Sequence, residues 1–485
     1  MKHLLRICLP AVALALPLAA RAQNELSNFS ATGRGGVINT FAQDYQALGI
    51  NPANLGRAGQ AKVAFSFLEV GAGLASQTLN RSIINKITYN SGDGLTAAGK
   101  AELRQGLTGA DVLNVNFDVS TLALAVSLPN GLGSIAFSNR QRVAGHLGFN
   151  SNAADVIVNG REAQSLQEYY RYTPASGSGP TATAASITST GKTPPNVGTF
   201  LDGTQVQVAW TSEYNLGYGV QVLDNEGFKL SVGLGYRYIQ GIGIVDIKAE
   251  SGELTGFGAL SPLFKINYGT VQSSSNFNYQ SGGGLNPVGR GNGFDLGLAA
   301  EIGKAVRVGA SLTDLGSMTW DGNVLTAKNQ SLQQVNATGL STYNVFKEIS
   351  NQFSTTDASL FKYEPAKERK ADLPAKLRLG GGIRLSELFE AGLDVTLPLN
   401  KVAGNLTAPF VGLGLDYKPV RWLRLSSGFT GGAGYGKSLP LGLTFVTSIW
   451  ESGISTRDVV GLLSDKSPYN SVALGFLRFK IGGQK

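Results

Sequence analysis

The sequence has little cysteine, histidine, methionine or charge. Its 485 residues include one cysteine, two histidines and two methionines, and charged residues make up 15%. A lone Cys8 excludes an internal disulfide framework, and with so few histidines it also excludes a Cys/His zinc site. The low charge argues against an ordinary cytosolic enzyme, in which about a quarter of residues are charged. Disorder is excluded as well, because hydrophobic residues reach 42% and the net charge is only +8. No polybasic cluster suggests nucleic acid as a partner. After the N-terminus no run of 18 apolar residues occurs, which excludes a membrane-spanning helix. Glycine, by contrast, is abundant: 64 residues, about 13%, against an average near 7%.

The first 22 residues read as a secretory signal peptide. Lys2 and Arg6 precede an apolar stretch from Ile7 to Ala20, and Ala20-Arg21-Ala22 is an A-x-A cleavage site. Cleavage removes the only cysteine, one histidine and three basic residues, leaving 38 Lys+Arg against 33 Asp+Glu.

Beyond residue 61 the dominant signal is alternation of period two. Val206, Val208, Trp210, Tyr214, Leu216, Tyr218, Val220 and Val222 share one face, and Gln205, Gln207, Glu213, Asn215 and Gln221 the other. Fourteen such stretches occur, at 62–76, 112–128, 133–147, 204–223, 228–247, 291–303, 305–321, 375–386, 388–399, 406–418, 421–431, 438–447, 449–456 and 470–481. Connections after even-numbered stretches are short. Most after odd ones are long (77–111, 148–203, 249–290, 322–374 and 457–469), while 400–405 and 432–437 are brief. An even number of long alternating strands, with short turns on one side and long loops on the other, specifies an all-β, 14-stranded antiparallel transmembrane barrel in the outer membrane of a Gram-negative bacterium. A soluble sandwich would leave its outer apolar row unburied. Residues 271–280 alternate weakly and read as a hairpin within a loop. Helices are expected at Leu95–Leu107 and over 341–353, and Ser455-Thr456-Arg457-Asp458 reads as a capping box. The Ser/Thr/Gly-rich stretch 174–195 reads as a loop tip.

Candidate chemistry is sparse. Gly431 to Ser438 fits the G-x4-G-K-S phosphate-loop spacing, but a strand pattern with an early proline follows where the motif requires a helix, so a glycine-rich turn is the better reading. His146, the only histidine of the mature chain, stands on one side of its strand with Arg140 and Arg142. No G-x-S-x-G elbow accompanies it, so no catalytic set, metal site or cofactor is assigned. The polar faces carry Glu213, Arg237, Asp295, Glu301, Arg307, Arg384, Glu390, Asp394, Asp416 and Arg424. These line either a charged-ligand path or a set of structural ion pairs, and pairing is favoured because an unpaired lumen charge is costly. Parity of the hairpins sets Val126 opposite Ile135, and opposes Glu213 with Arg237, Glu301 with Arg307, Arg384 with Glu390, and Asp416 with Arg424.

Gln46-Ala47-Leu48-Gly49-Ile50-Asn51-Pro52-Ala53-Asn54-Leu55, just before the first strand, resembles the Asn-Pro-Ala hatch of FadL-type fatty-acid transporters and their PorV-like relatives. Leu230 to Tyr238, Gly293 to Gly297, Asp314 to Ser317, Leu373 to Gly380, Gly453 to Asp458 and Ala473 to Lys480 look like a Bacteroidota outer-membrane branch of that superfamily. The residue after Asn-Pro-Ala is Asn54 where relatives carry glycine. The resemblance implies a barrel of 62–485 enclosing a plug of 23–61, with a hatch at Asn51, Pro52 and Ala53. It implies passive uptake of a hydrophobic small molecule, with outer-membrane lipid around the wall. The alternative is a PorV-like barrel that holds a secreted or surface protein on its extracellular loops.

Overall fold

The computed structural model describes residues 27–176, 184–345, 363–406, 408–432, 437–466 and 468–482. Its main sheet has 18 strands. Four of them, Glu253–Leu260, Val324–Ala327, Tyr363–Pro365 and Arg369–Asp372, belong to the long loops. The other 14 form the wall: β1 (Val63–Ala75), β2 (Gly109–Ser127), β3 (Ser134–Phe149), β4 (Gln205–Asn225), β5 (Phe228–Glu250), β6 (Gly289–Ile302), β7 (Val306–Trp320), β8 (Lys376–Arg384), β9 (Phe389–Pro398), β10 (Phe410–Val420), β11 (Leu423–Gly432), β12 (Leu441–Val446), β13 (Trp450–Thr456) and β14 (Tyr469–Ile481). Each pairs antiparallel with its sequence neighbours, and β1 pairs with β14, so the ring is closed. Closure removes every wall edge, the condition a sheet must meet in hydrocarbon. No helix among the described residues is long and apolar enough to cross a membrane.

Alternation sorts the side chains. Leu216, Leu234, Phe294, Leu296, Leu298, Leu413 and Phe476 point outward and are exposed. Glu213, Arg237, Asp295, Asp394, Asp416 and Arg478 point inward and are buried. Aromatic pairs mark the short-turn end of the outer face: Phe389 with Tyr417 at 4.7 Å, Trp422 with Phe445 at 6.2 Å and Phe65 with Phe479 at 5.1 Å. Towards the long loops the outer face becomes polar again. Tyr236 donates to Asn292 at 2.6 Å, and Gln141 donates to Ser212 at 2.7 Å. An apolar band encircles the outer face between these levels.

The wall is lopsided. β4 and β5 have 21 and 23 residues, whereas β12 and β13 have 6 and 7. At ~3.3 Å per residue, the β2–β5 side rises well past the polar belt. Its extension is completed by Glu253–Leu260, which returns from β5 through a Ser251-Gly252 turn with φ of 56° and 80° at its two residues. Loop helices Arg81–Tyr89, Ala97–Gly106 and Ser151–Asn159 gather over this extension in one apolar cluster.

Several sequence expectations need correction. Residues 269–273 are a 3-10 turn, so the loop hairpin is Glu253–Leu260 and not 271–280. Asp458 caps the short helix Val459–Leu463 by accepting from Val460, so Ser455 to Asp458 is no capping box. Of the expected helix 341–353, residues 346–353 lie outside the described residues, as do 177–183 of the loop tip and 433–436 of the glycine-rich turn.

Candidate functional site

Residues 27–60 have little regular structure, yet most are buried, and many of their polar groups bond to the inward face of the wall. Arg34 donates to Asp416 at 2.7 Å, Arg57 to Glu301 at 2.7 Å and Arg478 to Asp44 at 2.8 Å. Asp394 accepts from the amides of Ile38 and Asn39, and Asp118 from the Ser27 amide and hydroxyl. Tyr45 donates to Glu69 at 2.8 Å. Partners thus come from β1, β2, β6, β9, β10 and β14, around the whole ring.

Asn51, Pro52 and Ala53 sit in a groove of the wall. Gly219, Gly233 and Gly297 lie side by side on β4, β5 and β6. A Cβ on Gly233 would stand 2.2 Å from the Pro52 carbonyl carbon, and one on Gly297 2.2 Å from the Asn51 side-chain oxygen. Asn51 accepts from Ala53 at 3.1 Å and donates to Asn39 at 2.9 Å and to the Leu298 carbonyl at 3.0 Å. The side-chain cap and Pro52 at the first position explain the 3-10 turn Pro52–Gly56. Asn54 is fully buried and donates to the Asn39 carbonyl at 2.7 Å, a contact glycine could not make.

The inward charges form clusters rather than isolated pairs. Arg237 reaches Glu213 at 3.5 Å, Asp295 at 2.8 Å and Asp314 at 2.6 Å, and Arg142 reaches Glu213 at 2.8 Å. In register Glu213 faces Ile239, two residues above Arg237. Glu301 does face Arg307, but its carboxylate bridges Arg57 while Arg307 reaches Glu390 at 3.7 Å. Arg384 faces Glu390 and bridges it at 2.9 Å, with Lys418 on the other oxygen. Asp416 faces Ser426, so the expected Asp416–Arg424 pair gives way to Arg34–Asp416 and Arg424–Glu451. His146 is buried, with Nδ1 3.0 Å from the Asn114 amide oxygen.

A large apolar cavity lies at the long-loop end, on the β2–β5 extension. It measures about 600 Å³. Cross-strand rows make its floor. Leu113, Leu147, Val206 and Ile247 are successive partners across β2 to β5, and Val115, Gly145, Val208, Val245 and Gly258 form the next row. Trp210, Phe257, Phe264, Tyr268 and Leu325 enclose it, and the Trp210 and Phe264 rings meet edge to face at 6.1 Å. Burial, with the nearby Tyr279 hydroxyl a smaller contributor, pushes the Tyr268 hydroxyl above its ordinary 10.0. A second void of about 70 Å³ adjoins this cavity at Val143 and Ile244, and its lining includes Asp118, Arg142, Glu213 and Asp314. A third, about 30 Å³, lies between residues 27–50 and the wall. Among the described residues, charged side chains thus stand between the apolar cavity and residues 27–50.

A model for a protein family of unknown function, DUF5723, matches residues 52–449. The chain belongs to this family. No curated protein matches the DUF5723 chain. Among solved structures it is similar to the Ralstonia pickettii toluene transporter TbuX, at 12% identity and a TM-score of 0.42 over 94% of this chain and 98% of that one. The Pseudomonas putida toluene transporter TodX is similar at 11% identity and 0.43, over 95% and 98%. A Pseudomonas aeruginosa FadL homologue is similar at 11% and 0.42, over 95% and 99%.

The cavity of this DUF5723 protein is the feature that the sequence reading passed over. Its floor continues the apolar rows of β2–β5, which were legible. Its far wall comes from stretches read as loop. The available signal was Ser251-Gly252, a two-residue turn pair flanked by Ile247 and Ala249 before it and Leu254 and Phe257 after it.

Proposed function

We propose that this protein is an outer-membrane barrel of a Gram-negative bacterium that takes up a hydrophobic small molecule. In this reading residues 1–22 are a signal peptide, 23–61 a plug and 62–485 the barrel, with the long loops outside the cell. The apolar cavity of about 600 Å³ carries the reading. Its size and aromatic lining are those of a small-molecule site, and it stands where an external molecule arrives first. Passage inward requires the charged level at Arg142, Glu213 and Arg237 to be crossed and the Asn51-Pro52-Ala53 hatch to leave its glycine groove. The lumen ion pairs hold wall and plug together.

The test is uptake of a hydrophobic fluorophore by cells carrying the barrel, compared with a variant whose cavity is filled. Gly145→Phe suits this, because a Cβ there meets only ordinary contacts, 3.7 Å from Val115 and 3.8 Å from Val208. Reduced uptake at unchanged barrel amount is expected. Uptake equal to the parent would sink the reading. Copurification of a polypeptide on the loops with no hydrophobic molecule in the cavity would favour the protein-binding alternative.

A further inference from the structure

We propose that the cavity selects uncharged hydrophobes over carboxylates, on the order of 20 carbons or more. This rests on the reading above that the cavity binds a hydrophobic small molecule, and names the class.

Charge decides the first half. No Asp, Glu, Lys, Arg or His is among the described residues lining the cavity. Arg369 lies beyond the lining, over the ring of Phe257 at 5.6 Å from its centroid. A carboxylate carried in with an acyl chain would lose its water and gain no cation, a cost that makes such burial rare. Three of the polar side chains that reach the lining hold partners elsewhere. Trp210 donates its indole N–H to Gln141 at 3.3 Å, and Tyr268 donates to the Leu260 carbonyl at 3.3 Å. Asn323 donates to the carbonyls of Leu260 and Gln280, at 3.0 and 3.1 Å, and accepts from the Gln280 amide at 2.8 Å. The donors of these three side chains are thus taken, so a ligand carboxylate finds none of them open to it.

Volume decides the second half. An apolar cavity of about 150 Å³ holds one benzene. The cavity here, at about 600 Å³, has room for roughly four such rings, so a single ring would leave most of it unfilled. Glycine makes the space: Gly145, Gly243 and Gly258 lie in the lining, where side chains would otherwise stand on the floor.

The experiment uses the full-length barrel in detergent and three radiolabelled probes: tetracosane, its matched carboxylate tetracosanoate at a pH where it is ionised, and toluene. Tetracosane should bind at least tenfold tighter than either of the others. Val245→Lys, which brings an ammonium to the floor, should narrow or reverse the preference between tetracosane and tetracosanoate. Equal binding of these two by the parent overturns the charge selection, and tightest binding of toluene overturns the size class; the uptake reading survives both. Failure of all three probes to bind a barrel that still runs faster on a denaturing gel before boiling than after removes both the inference and the reading beneath it.

Discussion

Gly233 and Pro52 are mutually exclusive with a larger side chain: a Cβ on Gly233 would stand 2.2 Å from the carbonyl carbon of Pro52. The obstacle is backbone, so it cannot swing aside. Gly233→Val should therefore expel the Asn51-Pro52-Ala53 turn while leaving an inserted barrel, and raise single-channel conductance in planar bilayers. Gly381→Val is the control, since a Cβ on that outward glycine meets nothing within 4 Å. Equal conductance in the two variants would refute the seat.

Removing Arg237 leaves Glu213, Asp295 and Asp314 buried together without their shared cation. Breaking a buried pair costs about 3–5 kcal/mol, so Arg237→Met should lower the urea midpoint of the barrel markedly. Lys328→Met, at the exposed Lys328–Glu364 pair, should stay within ~0–1 kcal/mol. Similar midpoints for the two variants would contradict the cluster's structural role.

Deleting residues 23–61 should give a barrel that still runs faster on a denaturing gel before boiling, as a closed ring does. The truncated barrel should also conduct more than the parent. Unchanged conductance would place that segment outside the lumen.

Tyr268 gives the cavity a dependence on alkaline pH. Burial raises its hydroxyl above the ordinary 10.0, so the folded loop favours the neutral phenol. The stabilising contribution is whole below about pH 10 and is lost as pH climbs towards the raised value, because the opened loop ionises first. Trp210 fluorescence should report loosening of the cavity in that range, and Tyr268→Phe should reduce the change. An identical alkaline transition in the variant would exclude Tyr268 as its source.

The wall was legible because its outer and inner faces carry opposite chemistry on alternate residues, a constraint written into every strand. Parity even placed Val126 opposite Ile135, Glu301 opposite Arg307 and Arg384 opposite Glu390. It misplaced Glu213 and Asp416 for one reason in both cases. The turn at Glu226-Gly227 is tighter than expected and Val222 bulges, which moves the β4–β5 register by two residues. Arg421-Trp422 and the irregularity after Tyr417 do the same to β10–β11. Arg34–Asp416 and Arg57–Glu301 join residues hundreds of positions apart, and no local pattern encodes them. The cavity was hidden likewise, because its enclosing residues come from separate loops.

The shortest staves of the ring, β12 and β13, are also where the N-terminal segment leans. Phe29 fills the space left by Gly453 and Gly475, so that a Cβ on either would stand 2.4–2.5 Å from its ring, and Gly33 rests against Gly442. Short staves make few rungs with their neighbours. The segment therefore acts as an internal buttress on the arc with the shortest staves, and a barrel emptied of it should lose its roundness there first.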